Sequence, residues 1–255
     1  MSLSITENAL ATATVRLRAA GCVFAEEEAA VLREAAPDES TLNAFVERRA
    51  QGEPLEQVVG YADFAGIRVR LRPGVFVPRV RSRLLVDLAV AHKPDVLLDL
   101  CCGSGALGLA VRHRLSGLEL HAADLDPAAT ACARDNGVPH VYQGDLFDPL
   151  PRHLRVDVLV ANVPYVASAD IPFLPAEARD HEPLTALDGG PDGLDIFRRV
   201  AGSAPKWLSE IGILLSEITE AQERGAIEAL RKSGLDGEVI TDEDLDARVI
   251  RARKV

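Results

Sequence analysis

The stretch Val96-Leu97-Leu98-Asp99-Leu100-Cys101-Cys102-Gly103-Ser104-Gly105-Ala106-Leu107-Gly108 decides the fold. Its first five residues form a short and largely apolar run, which is typical of a buried strand in a parallel sheet. The glycines that follow have the spacing Gly-x-Gly-x-x-Gly and precede a helical stretch. Glycine allows the backbone to approach a ligand closely. The stretch therefore predicts a strand, a ligand-binding loop and a helix.

Strands and helices alternate from about Leu84 to the C-terminus. Apolar runs predict further strands over residues 118–123, 156–161 and 211–218, and two strands in the tail over 237–254. Helical stretches are predicted over residues 106–115, 127–136, 194–208 and 221–233. Such alternation is typical of an α/β fold, in which helices cover both faces of a parallel sheet.

Two smaller regions precede this domain. Residues 1–52 contain three short helical patterns, which predict a small N-terminal bundle whose third helix begins near Asp38 or Ser40. The period changes to two within residues 58–77, with Ala65-Gly66 as a plausible hairpin turn, which predicts a β-hairpin linker over residues 53–83. Residues 84–255 then form the α/β domain.

Composition excludes several classes of protein. The formal net charge is -11, which argues against stable nucleic-acid binding, because that affinity depends on basic residues that neutralise phosphates. The chain contains no run of 18 apolar residues that could cross a membrane. The N-terminus does not have the form of a signal peptide. Neither the four cysteines nor the six histidines have the spacing of metal ligands, so we predict no metal and a cytoplasmic protein.

Six arginines stand out between Gly66 and Val86, a stretch without an acidic residue. They are Arg68, Arg70, Arg72, Arg79, Arg81 and Arg83. This stripe is either the solvated face of a strand or a docking surface for an acidic partner.

The glycine loop fits two kinds of cofactor. Asp124, at the end of the next strand, is an acceptor for ribose hydroxyls in either a dinucleotide or S-adenosylmethionine. Asp99 precedes the loop, where a carboxylate repels a pyrophosphate but suits the cationic amino-acid end of S-adenosylmethionine. Asp145, after a third strand, can accept the adenine amino group beside Leu146 and Phe147. These features favour S-adenosylmethionine, and a dinucleotide stays open as an alternative.

Asn162-Val163-Pro164-Tyr165 follows the fourth strand, at the edge where open α/β sheets place their chemistry. The side-chain oxygen of Asn162 and the Val163 carbonyl are two fixed acceptors, and Pro164 favours an extended backbone at the residue before it. The ring of Tyr165 offers a flat apolar surface. Two acceptors and a ring form a cradle for a planar NH2 group, so these four residues are the candidate catalytic residues.

These motifs resemble those of the PrmC/HemK methyltransferases. The resemblance is carried by residues 99–105, Gly144-Asp145, residues 162–165, the stretches His181-Glu182-Pro183-Leu184-Thr185-Ala186-Leu187 and Asp188-Gly189-Gly190-Pro191-Asp192-Gly193-Leu194, and upstream by Gly52-Glu53-Pro54-Leu55 and Val77-Pro78-Arg79. It implies a Rossmann-like seven-stranded methyltransferase domain, with the N-terminal helices as a substrate-recognition domain. It also implies transfer of a methyl group from S-adenosylmethionine to a glutamine side-chain amide in a peptide-chain release factor or a related protein.

The resemblance also implies which residues hold the cofactor. These are Asp99, Cys101, Cys102, Gly103, Gly105, Asp124, Leu125, Asp145, Leu146 and Asn162. The chain departs from the family in Val163, where the family has proline, and in Val80-Arg81-Ser82-Arg83, where arginines replace acids. Two alternatives remain open: an amino-methyltransferase acting on adenine or a small molecule, and a catalytically impaired protein that binds S-adenosylmethionine. The sequence does not reveal the oligomeric state.

Overall fold

The computed structural model describes residues 5–255. The strands are β1 Tyr61–Phe64, β2 Ile67–Arg70, β3 Val96–Leu100, β4 Glu119–Asp124, β5 His140–Gln143, β6 Val156–Ala161, β7 Leu208–Glu217, β8 Leu235–Asp242 and β9 Ala247–Lys254. The helices are α1 Glu7–Ala19, α2 Ala25–Ala35, α3 Glu39–Ala50, α4 Leu55–Val59, α5 Arg83–His92, α6 Ala106–Arg114, α7 Pro127–Asp135, α8 Ala176–His181, α9 Leu184–Leu187, α10 Asp195–Ser203 and α11 Glu223–Lys232.

Seven of these strands form one sheet, in the order β5-β4-β3-β6-β7-β9-β8. Strands β5, β4, β3, β6 and β7 run parallel to their neighbours, and β9 lies antiparallel between β7 and β8. The predicted α/β fold with a seven-stranded sheet is confirmed. No helix within residues 5–255 is long and apolar enough to span a membrane.

Both faces of the parallel sheet are covered, which explains the apolar runs of its strands. Neighbouring residues of β3 point to opposite faces. Leu97 packs with residues of α5 and α6, whereas Leu98 lies in the core that contains Phe197 of α10. Helix α10 is shorter than the sequence predicted, because the chain tightens into a 3-10 turn at Ala204–Lys206, where Pro205 has no backbone N–H to continue an α-helix.

The chain divides into two compact units. The first ends at Tyr61 and also contains Pro175–His181. The second comprises Ala62–Leu174 and Glu182–Val255. Ala62, Phe64 and Val69 of the hairpin pack into a core of the second unit, so the contacts assign the hairpin to that unit rather than to a separate linker.

The first unit is helical, and its helices begin where polar side chains cap them. Thr6 accepts a hydrogen bond from the Ala9 amide at 3.2 Å, and Asp38 accepts one from the Thr41 amide at 2.8 Å. Their apolar faces share a core that includes Leu17, Leu32 and Val46. Three helices therefore occupy the predicted N-terminal bundle, whose first four residues lie outside the described part of the chain.

Candidate active site

Polar residues gather at one edge of the sheet because parallel strands all end there. In register, Leu100 of β3 pairs with Ala123 of β4 and with Ala161 of β6. Asp124 and Asn162 each come directly after these paired residues, and Asp99 comes directly before one. The structure thus brings the candidate cofactor residues and the candidate catalytic residues to the same edge.

The glycine loop after β3 folds back tightly. Cys101, Gly103 and Gly105 all have positive φ, at 58°, 54° and 78°. A Cβ atom at Gly105 would lie 2.6 Å from Cγ2 of Val138, so this position has no room for a side chain. The Cys102 amide donates to the Ala123 carbonyl at 3.1 Å. Burial raises the pKa of the Cys101 thiol, which keeps that thiol uncharged.

Asp99 is fully buried beneath this loop. Its Oδ2 accepts a hydrogen bond from the Gly108 amide at 2.9 Å. No group within residues 5–255 donates to its Oδ1. Burial raises the pKa of Asp99 to about 7, and the charge of Asp124 adds to the increase, whereas the bond from Gly108 opposes it. An unsatisfied buried carboxylate oxygen is costly, and it suits a cationic partner.

Asp124 and Leu125 lie beside the loop. Asp124 accepts the Gly103 amide on Oδ2 at 2.8 Å and the Asp126 amide on Oδ1 at 2.9 Å, so it also holds the loop in shape. Burial raises the pKa of Asp124 despite these bonds. Leu125 is exposed, although it is a large apolar residue.

Asp145 and Leu146 follow β5. Asp145 is half-exposed, and its Oδ2 accepts a hydrogen bond from Nη2 of Arg199 at 2.7 Å. Leu146 has a positive φ of 48°. Phe147 is buried and stacks on Trp207, with ring centroids 5.4 Å apart, so it supports the core rather than offering an open apolar wall.

Asn162 stands at the end of β6 with its carboxamide in a defined orientation. Its Nδ2 donates to Oγ of Ser82 at 3.4 Å. Its Oδ1 is buried, and nothing in the described chain donates to it. Val163 is buried, and the Tyr165 carbonyl, two residues further on, accepts a hydrogen bond from Nε2 of Gln222 at 2.7 Å. The acceptor Oδ1 is therefore available for an N–H donor.

Glu217, at the end of β7, is a site residue that the sequence analysis missed. It is buried, and its Oε2 accepts the Ser82 hydroxyl at 2.7 Å. Its Oε1 accepts the Tyr165 hydroxyl at 2.8 Å and Nε of Arg81 at 2.7 Å. Burial, reinforced by the charge of Glu217, raises the pKa of Tyr165, so the phenol stays protonated and donates. An acid at the end of an otherwise apolar strand was the available signal.

The motif around Gly189 fixes the backbone of the same segment. Val166 pairs with Asp188 in an isolated bridge. A Cβ atom at Gly189 would lie 2.7 Å from the Pro164 carbonyl oxygen, and one at Gly193 would lie 2.2 Å from that of Tyr165. Only glycine permits this approach, so the motif acts as a backbone support for residues 162–165.

Glu182 connects the stretch 181–187 to the stretch 77–79. Its side chain is buried, and its Oε1 accepts Nη2 of Arg79 at 2.6 Å. The Arg79 guanidinium also lies over the ring of Phe76, 5.0 Å from the centroid. Two separated stretches that carry the family resemblance therefore contact each other directly.

The arginine stripe is largely neutralised by acids from elsewhere in the chain. The ion pairs are Arg68–Asp63, Arg72–Asp135, Arg79–Glu182, Arg81–Glu217 and Arg83–Asp87. Five of the six arginines thus have an acidic partner within the protein. The stripe offers less free positive charge than the sequence indicated, and the docking interpretation loses its main support.

The structure thus offers a buried acid beside a glycine loop, next to an amide acceptor that is fixed in orientation. The carboxyl group of Asp99 can hold a cationic ligand at the sheet edge, and Oδ1 of Asn162 can accept a hydrogen bond from an N–H group. Among residues 5–255, Glu119, His121 and His140 form a group whose side-chain ligand atoms lie within 4.8 Å of one another, away from these motifs.

Comparison with known proteins identifies the relatives of this chain. Residues 66–174 match the model of the methyltransferase small domain. The release factor glutamine methyltransferase of Geobacter sulfurreducens is 33% identical over 206 residues, which cover 78% of this chain and 72% of that protein. The ribosomal protein uL3 glutamine methyltransferase of Burkholderia pseudomallei is 38% identical over 215 residues, which cover 76% of this chain and 69% of that protein.

A solved structure supports the fold. The 16S rRNA N2 G1207 methyltransferase RsmC of T. thermophilus, in complex with AdoMet and guanosine, superposes with a TM-score of 0.54 at 18% identity. The match covers 76% of this chain and 50% of that chain. At this identity the likeness concerns the fold alone.

The raised pKa of Asp99 predicts a pH dependence of stability. Between the usual value of 3.8 and about 7, Asp99 is protonated in the folded protein and ionised in the unfolded chain. The unfolded chain then binds fewer protons, so the free energy of unfolding falls as pH rises through this window, by up to about 1.4 kcal/mol per pH unit.

We expect Asp99→Asn to flatten this decline. Urea unfolding of the wild type and the variant between about pH 5 and about pH 8 measures the two slopes. Asp236→Asn, at an exposed position of β8, is the matched control and should keep the wild-type slope. Equal slopes in the wild type and Asp99→Asn would show that this carboxyl does not titrate in that range.

Proposed function

The chain belongs to the family of glutamine methyltransferases that includes the release factor and ribosomal protein uL3 enzymes, and we propose that it methylates the side-chain amide nitrogen of a glutamine in a protein substrate. The methyl donor of this proposal is S-adenosylmethionine. When bound, that cofactor supplies an electrophilic methyl group on a sulfonium.

The residues beside the glycine loop fit this cofactor. The undonated Oδ1 of Asp99 suits its cationic amino-acid end, and a pyrophosphate would be repelled there. In the proposal Asp124 accepts the ribose hydroxyls, since each of its oxygens accepts one backbone amide and retains a further lone pair. In this proposal Cys101, Cys102, Gly103 and Gly105 form the close backbone of the pocket, and Leu125 and Leu146 contact the adenosine.

Asp145 takes the adenine amino group in the proposal. Its partner Arg199 occupies Oδ2, which leaves Oδ1 for the ligand. Removal of Arg199 would free the Asp145 side chain, so this ion pair helps to aim the carboxylate at the pocket.

The observation that carries the proposal is the buried Oδ1 of Asn162, which has no donor within the described residues. A buried acceptor without a partner costs stability and is retained where a ligand satisfies it. The N–H group of a glutamine carboxamide is such a donor. The Val163 carbonyl takes the second N–H, and Pro164 and the supports at Gly189 and Gly193 keep the backbone in place.

The difficulty of the reaction lies in the amide nitrogen. Its lone pair is shared with the carbonyl, the same resonance that gives a peptide bond a rotation barrier of about 18–20 kcal/mol. Acceptors on both N–H bonds become stronger partners as the nitrogen gains positive charge, so they stabilise the transition state more than the ground state. One N–H proton then leaves to solvent, and no strong base is required.

Tyr165 and Glu217 complete the pocket. The Tyr165 ring has the Arg81 guanidinium 5.9 Å from its centroid, and in our proposal the ring holds the planar carboxamide by its other face. Glu217 anchors the Tyr165 hydroxyl and, through Ser82, the orientation of the Asn162 carboxamide. The family has proline at position 163. Because the proposal uses only the backbone carbonyl of this residue, valine can supply the same acceptor.

The substrate class is the finer part of the proposal. The relatives named above act on release factors and on ribosomal protein uL3, so a protein with an accessible glutamine loop is the expected partner. Incubation of this chain with S-adenosylmethionine and either a release factor or uL3 separates the two substrates. Mass spectrometry should find one added methyl group on a glutamine of one of them. Failure to methylate both, with methylation of adenine or a small amine instead, would overturn the proposal.

Replacement of Asn162 by alanine tests the acceptor. We expect turnover to fall on the order of 100-fold or more, since one acceptor of the N–H groups is lost in the transition state. Affinity for S-adenosylmethionine, measured by calorimetry, should change little, because Asn162 is one of ten residues expected to hold the cofactor and the variant leaves Asp99 and Asp124 intact. Near wild-type turnover on the identified substrate would remove Asn162 from the mechanism.

Replacement of Glu217 tests whether its hydrogen bonds orient the proposed substrate acceptors. The variant Glu217→Gln keeps the size of the side chain but weakens the bonds to Ser82, Tyr165 and Arg81 by removing the charge. We expect turnover to fall about tenfold to a hundredfold, because the acceptors lose their alignment, with cofactor affinity nearly unchanged.

The matched control is Glu210→Gln, at an exposed position of the same strand. It should retain wild-type turnover. If Glu217→Gln were as active as this control, Glu217 would be a structural residue without influence on the reacting amide.

A further inference from the structure

Three metal-binding side chains meet near the outer edge of the sheet. Glu119 and His121 are two residues apart in β4, so their side chains lie on the same face. His140, in the edge strand β5, is the register partner of His121. Their ligand atoms all lie within 4.8 Å of one another. The sequence spacing showed no metal pattern because the ligands come from two separate strands.

His121 is held in a defined orientation. It is 5% exposed, although histidine is polar. Its Nε2 lies 2.8 Å from Oε1 of Glu119, and its Nδ1 lies 3.1 Å from the hydroxyl of Tyr142. Metal-binding histidines typically have such an oxygen partner on the second ring nitrogen, which fixes the ring and the tautomer.

His140 completes the group from the solvent side. Its ring stacks on that of His121, with centroids 4.7 Å apart and an interplanar angle of 21°. Glu119 and His140 are exposed, so an ion can enter from solvent and their side chains can change rotamer. Two stacked rings cannot both direct a nitrogen at one ion, so the exposed His140 ring turns out of the stack when the ion binds. The ligand atoms, now within 4.8 Å of one another, then close to the roughly 3.3 Å that separates ligands of a tetrahedral ion at about 2.0–2.1 Å.

We propose that Glu119, His121 and His140 form a binding site for a divalent transition metal ion of the zinc class. Two imidazole nitrogens and one carboxylate oxygen suit this class, whereas Mg²⁺ and Ca²⁺ prefer oxygen ligands alone. A histidine that binds a metal through Nε2 carries its one proton on Nδ1, and the Tyr142 hydroxyl stands 3.1 Å from that nitrogen as its acceptor. The bound ion ties β5 to β4. The site is independent of the proposed methyl transfer.

Calorimetric titration of the full chain with Zn²⁺, after chelator treatment and dialysis, tests the site. We expect binding of one ion per chain. The midpoint of thermal unfolding should rise with Zn²⁺ concentration, because the ion binds the folded protein. Co²⁺ should give the visible spectrum of a nitrogen and oxygen site.

Variants locate the ion. His140→Ala and Glu119→Gln change exposed residues, so both should fold, and each should weaken Zn²⁺ binding on the order of 100-fold or more. His153→Ala, at an exposed histidine outside the group, is the matched control and should bind as the wild type does.

Three results would overturn the proposal. The first is the absence of stoichiometric Zn²⁺ binding to the wild type. The second is binding that His140→Ala and Glu119→Gln leave unchanged. The third is a thiolate-to-metal absorption band with Co²⁺, which would place the ion on one of the free cysteines Cys22, Cys101, Cys102 and Cys132.

Discussion

Parallel pairing of β3, β4 and β6 is the constraint on which the candidate site depends. Because these strands end in register, residues that are far apart in the sequence meet at one edge. Asp99, Asp124 and Asn162 are among the polar residues at that edge, and in our proposal the two acids hold the cofactor and Asn162 holds the substrate amide. A strand that slipped by one residue would turn the buried Asp99 toward the other face of the sheet.

A second layer of residues orients the acceptors of the segment 162–165. Glu217 holds Ser82 and Tyr165, and Glu182 holds Arg79, in each case through a buried carboxylate. Buried charges are stable only when they are paired and hydrogen-bonded, and these acids are. The glycines at 189 and 193 serve the same purpose by close backbone contact. The conspicuous motifs of this chain thus mainly orient the short segment 162–165.

The sequence could predict what local pattern determines. The glycine loop, the α/β alternation and the contiguous Asn162-Val163-Pro164-Tyr165 segment each carry their signal within a few residues. Glu217 escaped notice because a lone acid at the end of an apolar strand also marks an ordinary strand end. The partners of the arginine stripe could not be read because they come from distant segments. To predict that His121 lies beside His140, one must know the register of two strands, and sequence periodicity does not give that register.

The structure of a ternary complex tests the central claim most directly. Crystals of this chain with S-adenosylhomocysteine and a glutamine peptide from its substrate would locate the carboxamide. We predict that the carboxamide nitrogen lies about 2.7–3.2 Å from both Oδ1 of Asn162 and the carbonyl oxygen of Val163. A carboxamide bound elsewhere, with Oδ1 of Asn162 still without a donor, would contradict it.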